Sequence, residues 1–176
     1  MSALKAWWRC LLLVGVAGLL GACQPPPVPP LKVGMNPWVG YDPLVLAHDR
    51  GLLDRSQVKV VELASSSETQ RHLRNGLLDG AALTLDEALR LSDDGIDVRI
   101  VALLSSSSGA DVVMARSDIA SPEQLRGRSI AVERTTVGAL MLQRLLKAGG
   151  LQPHEVQVRN MEASQHLAAL RNGQVD

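Results

Sequence analysis

The sequence predicts an α/β protein of two lobes, each a parallel sheet covered by helices. Three observations carry that expectation. Short apolar, β-branched runs alternate with helical patterns, the arrangement that buries parallel strands beneath crossover helices. A stretch near the middle, Leu73-Arg74-Asn75-Gly76-Leu77-Leu78-Asp79, recurs at the end as Leu170-Arg171-Asn172-Gly173-Gln174-Val175-Asp176. Between the copies, Ser105-Ser106-Ser107-Ser108-Gly109-Ala110 offers no apolar surface and reads as a connection.

Residues 1–22 read as an export signal. Lys5 and Arg9 give a positive start, and Leu11 to Leu20 is an apolar stretch too short to span a bilayer as a helix. Leu20-Gly21-Ala22-Cys23 then resembles the lipobox of bacterial lipoproteins. That resemblance implies cleavage before Cys23, lipidation of Cys23 and a lipid anchor in the bacterial cell membrane or the outer membrane. Residues 23–30 follow as a tether, because Gln24-Pro25-Pro26-Pro27-Val28-Pro29-Pro30 is extended and semi-rigid and cannot join a core.

Strands are expected at Leu31 to Met35, Val58 to Leu63, Gly80 to Thr84, Val98 to Leu104, Asp111 to Ala115, Ser129 to Val132 and Val156 to Arg159. Helices are expected between most of them. One runs from Pro43 to Arg50 and stops at Gly51. A second covers Glu68 to Asn75 behind a Ser65/Glu68 capping-box spacing, and Thr84 with Glu87 repeats that spacing before a third. Ser121-Pro122 opens a short turn, with proline at the first helical position. Thr136 to Ala148 carries Leu140, Leu142, Leu145 and Leu146 on a broad apolar face and ends at Gly149-Gly150. The first lobe is expected over residues 31–105 and the second over 106–176. The second copy of the repeat stops where its strand should begin, so the second lobe is expected to be truncated.

Composition excludes several functions. Cys10 lies in the signal and Cys23 would carry lipid, so no cysteine remains for a disulfide, a metal or a nucleophile. Removing Lys5 and Arg9 leaves 16 basic residues against 18 acidic ones, a balance that gives no footprint for nucleic acid. His48, His72, His154 and His166 are scattered without metal-ligand spacing, and the serine run sits in no nucleophile elbow. Neither a cofactor nor enzymatic activity is expected.

Outside the signal the chain keeps one tryptophan and one tyrosine, both in the loop Asn36-Pro37-Trp38-Val39-Gly40-Tyr41-Asp42-Pro43. Two flat rings held by prolines and a glycine offer a stacking surface with few rotors to freeze. A tryptophan plugging the core beneath a turn is the alternative.

Several pieces, in order, resemble the periplasmic substrate-binding proteins of ABC importers, in the nitrate, sulfonate, taurine and thiamine-precursor group. They are Lys32-Val33-Gly34-Met35 entering the aromatic loop, Leu46-Ala47-His48-Asp49-Arg50-Gly51-Leu52-Leu53, Asn75-Gly76-Leu77-Leu78-Asp79-Gly80-Ala81 and Ser108-Gly109-Ala110-Asp111. Leu125-Arg126-Gly127-Arg128-Ser129-Ile130-Ala131-Val132 and Leu151-Gln152-Pro153-His154-Glu155-Val156 complete the series. The resemblance implies a two-lobed, type II periplasmic-binding-protein-like fold. It also implies a monomer that clasps a small solute and delivers it to ABC permease subunits. The family's return to its first lobe is missing here. Relatives that do chemistry on a thiamine precursor use a cysteine-rich motif, also absent here. A ligand-sensing lipoprotein and an inactive remnant are the other readings.

Ligand contacts are expected where strands end and helices begin. From the first lobe the candidates are Asn36, Trp38, Tyr41, Ser66 and Thr84, although capping alone accounts for Thr84. The connection adds Ser108 and Asp111. In the second lobe, Glu133, Thr135 and Thr136 open a helix whose free amides attract anions. Glu133 places a carboxylate beside those amides. That charge argues against a simple oxyanion and for a neutral or cationic ring, such as an aminopyrimidine stacked on Trp38. Glu133 facing solvent, or paired with Arg134, is the alternative.

Overall fold

The computed structural model of the chain describes residues 27–176. The expected signal peptide, the lipidated Cys23 and residues 24–26 of the tether lie outside those residues. Pro27 to Pro30 have no regular structure, and Val28 is largely in solvent. No helix among the described residues is long and apolar enough to cross a membrane.

Two parallel sheets organise the chain. In the first, β1 (Leu31–Met35) lies between β2 (Val58–Glu62) and β3 (Gly80–Ala81), and both neighbours run parallel to it. Leu31 faces Val58 and Met35 faces Glu62, while Val33 and Gly34 face Gly80 and Ala81. Helices α1 (Asp42–Asp49), α2 (Ser66–Arg74) and α3 (Leu85–Asp93) belong to this unit. Met35, Tyr41 and Ala82 form its buried centre, with Trp38, Leu44, Val45, Val60 and Leu104 packed against them.

The second sheet pairs β4 (Ser129–Val132) with β5 (Gln157–Asn160), again in parallel, with Ser129 opposite Gln157 and Val132 opposite Asn160. Helix α4 (Val137–Ala148) joins the two strands and α5 (Ala163–Arg171) follows them. Leu125, Leu146, Leu151 and Val156 form the core here, closed by Ile119, Ile130, Leu142, Leu145 and Val158.

Local chemistry sets the helix ends. The Ser65 hydroxyl accepts the Glu68 amide at 3.2 Å and starts α2, and the Thr136 hydroxyl accepts the Gly138 amide at 3.2 Å and starts α4. Glu87 accepts the Thr84 amide at 3.0 Å at the head of α3. The recurring heptapeptide folds the same way twice. After α2, Gly76 takes φ +67° and the Leu77 amide donates to the His72 carbonyl. After α5, Gly173 takes φ +67° and the Gln174 amide donates to the Ala169 carbonyl. Both are the glycine-terminated ending that satisfies the last carbonyls of a helix.

Three expected strands are corrected. Val98 to Leu104 and Asp111 to Ala115 carry no strand, and Gly80 to Thr84 contributes only Gly80 and Ala81. A strand exists only where a neighbour takes its hydrogen bonds. The first two runs have no ladder partner among the described residues. Their side chains stay largely in solvent, as Val101 at 95% exposure illustrates.

Candidate functional site

The loops at the carboxyl ends of both sheets meet, as open α/β sheets require of a binding crevice. Asn36 follows β1, Ser65 to Ser67 follow β2, Thr84 follows β3, and Glu133 to Thr136 follow β4. Four contacts join the two units there. The Ser67 amide donates to Glu133 Oε1 at 3.0 Å, and the Ser67 and Thr135 hydroxyls lie 2.5 Å apart. Gln70 Nε2 donates to the Thr135 carbonyl at 2.9 Å, and Arg90 reaches the Arg134 carbonyl at 3.4 Å.

Beside this seam lies a hollow of about 390 Å³. Trp38 borders it from the first unit. The second unit supplies most of the wall, from β4, from Glu133, Thr136, Gly138 and Met141, and from α5, and Asp111 to Ala115 close another side. Its walls are mostly apolar. The charged lining consists of Asp111, Glu133 and Asp176, with His166 beside them, and no lysine or arginine stands among the described residues that line it.

Trp38 does two things at once. Its ring meets Tyr41 edge to face, centroids 4.9 Å apart and planes at 70°, and packs on the first core. It also stays partly exposed toward the hollow. Gly40 makes this possible, because a Cβ there would overlap the indole. Tyr41 is buried, at 5% exposure. Burial, and then the carboxylates of Glu87, Asp86 and Asp111, push its phenol above the ordinary value, so it stays protonated.

The remaining candidates divide. Asp111 and Thr136 join Trp38 and Glu133 around the hollow. Thr136 also caps α4 and donates to the Glu133 carbonyl at 2.9 Å. Asn36 is partly buried, and its Oδ1 has no donor among the described residues, a condition it shares with Asp86 Oδ2. Ser66 is committed internally, donating to Glu87 Oε1 at 2.7 Å. The Thr84 hydroxyl donates to Asp86 at 2.8 Å. Thr135 faces Ser67 across the seam, and Ser108 is exposed on the connection.

Glu133 takes neither course the sequence suggested for it outside ligand binding. It does not face solvent, at 6% exposure, and it forms no ion pair with Arg134 among the described residues. Its second oxygen accepts the Ala163 amide at 3.1 Å. Residues the sequence did not single out complete the lining. His166 is held by a ring nitrogen 3.0 Å from the Met161 carbonyl. Met141 and Gly138 lie on α4, where the apolar pattern gives no sign that one edge borders a hollow rather than a core.

Two parallel α/β units meeting at their carboxyl edges, with a hollow at the seam, give the fold of a periplasmic substrate-binding protein. A profile of the NMT1-like family matches residues 24–176, and the chain belongs to that family. Comparison with curated proteins finds no match. Among solved structures, the chain is similar to the alkanesulfonate-binding protein SsuA of Xanthomonas axonopodis pv. citri bound to MOPS. The identity is 21% and the TM-score 0.60, over 85% of this chain and 54% of that one. The ligand-binding component of an ABC-type import system from Staphylococcus aureus, with zinc bound, aligns at 17% identity and TM-score 0.63, over 84% and 53%. The aliphatic sulphonate-binding protein SsuA of Escherichia coli aligns at 21% identity and TM-score 0.57, over 85% and 53%. This chain thus spans about half the length of each, and at such identities the likeness is one of fold.

Proposed function

We propose that this chain is a solute-binding component of an ABC importer, which holds a small molecule between its two α/β units and hands it to a membrane permease. One observation carries the reading: a hollow of about 390 Å³, lined mainly by β4, α4 and α5 of the second unit, reaches the seam, where the Trp38 indole of the first unit and the helix-opening loop at Glu133 and Thr136 border it. Binding contacts drawn from both units favour a closed pair over an open one, which is how such receptors signal occupancy. Membership of the NMT1-like family supports this reading, as does the likeness in fold to an alkanesulfonate-binding protein and to the ligand-binding component of an ABC-type import system.

The lining favours a neutral or cationic ring bearing amino groups, an aminopyrimidine for example, over a sulfonate or nitrate. The charged groups around the hollow are carboxylates and a histidine. The indole adds a face for a ring or a cation. The protein acts in the periplasm as a monomer, held to a membrane by lipid on Cys23, with the proline run as its stalk. It binds rather than transforms its solute.

The test is a fluorescence titration with an aminopyrimidine, taurine and nitrate. Trp38 is the one tryptophan outside residues 1–22, and a Trp38→Phe variant gives the background signal. Saturable quenching by the aminopyrimidine is expected; saturable quenching by nitrate alone overturns the solute class.

A further inference from the structure

We propose that Glu133 is the specificity-determining residue of the seam: its carboxylate fills, with the chain's own charge, the place an oxyanion would take between the N-termini of α2 and α5. The inference rests on the solute-binding reading above.

The geometry is that of a bound anion. Oε1 accepts the Ser67 amide in the first turn of α2, at 3.0 Å. Oε2 accepts the Ala163 amide at the first residue of α5, at 3.1 Å. The two helices belong to different units and different ends of the chain, yet their N-termini converge on one carboxylate. Glu133 is 6% exposed, and its carboxylate has no lysine or arginine partner among the described residues. A buried charge without a countercharge persists only where oriented amides and helix dipoles replace water. Here two helix starts do so.

The backbone holds Glu133 in that position. Its carbonyl accepts both the amide of Thr136, at 3.3 Å, and its hydroxyl, at 2.9 Å. The next amide, of Arg134, donates to Asn160 Oδ1 at 3.0 Å. Gly138 lets α4 start close by, since a Cβ there would lie 2.8 Å from the Glu133 carbonyl oxygen. The side chain is therefore aimed by its neighbours.

Two consequences follow. An oxyanion solute finds the converging amides taken and meets a like charge instead. The same carboxylate also ties the two units together without any solute. Removing it should convert the seam into an oxyanion site.

The experiment compares thermal unfolding of the full chain with its Glu133→Ala and Glu133→Gln variants, in sodium sulfate, sodium ethanesulfonate and sodium chloride at matched ionic strength. Sulfate stabilises most proteins by exclusion from their surface, so the readout is the variant's shift beyond that of the unmodified chain. Glu133→Ala is expected to have a lower midpoint in chloride. Sulfate or ethanesulfonate should then raise it by about 4 °C more than they raise the unmodified chain. Equal shifts in both proteins overturn the inference. Should Glu133→Ala fail to fold, calorimetry on the unmodified chain decides. A saturable heat with ethanesulfonate overturns the proposal; no saturable heat there, with saturable binding to Glu133→Gln, supports it. Failure here is separable from failure of the solute class. Binding of an aminopyrimidine to the unmodified chain, with no oxyanion gain in Glu133→Ala, removes only this inference. Oxyanion gain without aminopyrimidine binding supports it and removes the class.

Discussion

Asp176 grips Ser129 through three hydrogen bonds. One carboxylate oxygen accepts the Ser129 amide at 2.9 Å and the Ser129 hydroxyl at 2.7 Å, and the Asp176 amide donates to the Ser129 carbonyl at 2.9 Å. The first copy of the repeat makes the same grip on β1: Asp79 Oδ2 accepts the Lys32 amide at 2.8 Å, and the Asp79 amide donates to the Lys32 carbonyl at 2.9 Å. In each unit an aspartate after a helix-ending glycine holds the start of a strand.

Asp176→Ala should therefore lower stability by about 1 kcal/mol, the cost of leaving half-buried donors without their acceptor, measured by urea unfolding. The Ser129 amide and hydroxyl, then Arg128, hold the Asp176 carboxyl below its ordinary value of 3.8. Its contribution is thus fully present above that value and is lost as pH falls through the lower native one. The difference between the two proteins should shrink as pH falls below the ordinary carboxylate value of 3.8. A constant difference would assign the loss to packing.

Gly40→Ala should turn the indole. A Cβ at that position overlaps the Trp38 ring, and the ring must leave the Tyr41 edge or the backbone must shift. The expected result is a changed Trp38 emission maximum and about tenfold weaker solute binding, roughly 1.4 kcal/mol. Unchanged emission would mean that the loop yields instead.

Gly138→Ala places a Cβ 2.8 Å from the Glu133 carbonyl and 2.9 Å from a Val132 methyl. These are a backbone atom and a core side chain, neither free to move. The substitution should cost about 1–3 kcal/mol as overpacking, although alanine in an ordinary helix position stabilises relative to glycine. A rise in the unfolding midpoint would show that α4 can slide.

Gln70→Ala combined with Thr135→Val removes two of the contacts across the seam. The units should open, read as a larger radius of gyration by small-angle scattering, while each core survives with unchanged far-ultraviolet dichroism. An unchanged radius would place the closure in Glu133 and Arg90 alone.

Leu146 lies at the centre of the second core, at 5% exposure. Leu146→Ala should cost about 2–5 kcal/mol, measured by chemical denaturation.

The fold was legible wherever its cause is local. The Ser65 and Thr84 N-caps and the Gly76 and Gly173 helix endings lie where the spacing placed them, because each depends on a few adjacent residues. The candidate site was legible in part. Trp38, Asp111, Glu133 and Thr136 stand around one hollow, and all four come from strand ends or the connection. Ser66 and Thr84 satisfied the same rule, yet their hydroxyls serve Glu87 and Asp86 instead. Sequence position does not distinguish a polar group that serves a ligand from one that serves its own helix.

By itself the sequence determined the alternation of strands and helices, the helix ends and the doubled Asn-Gly motif. Propensity, capping and periodicity act over a few residues, and a linear reading captures them. Only the tertiary structure decided that Val98 to Leu104 and Asp111 to Ala115 stay unpaired, since a strand requires a neighbour distant in the chain. It also decided what Glu133 does. Its two partners, Ser67 and Ala163, stand 66 and 30 residues away. A carboxylate between two helix starts is therefore set by how the units meet.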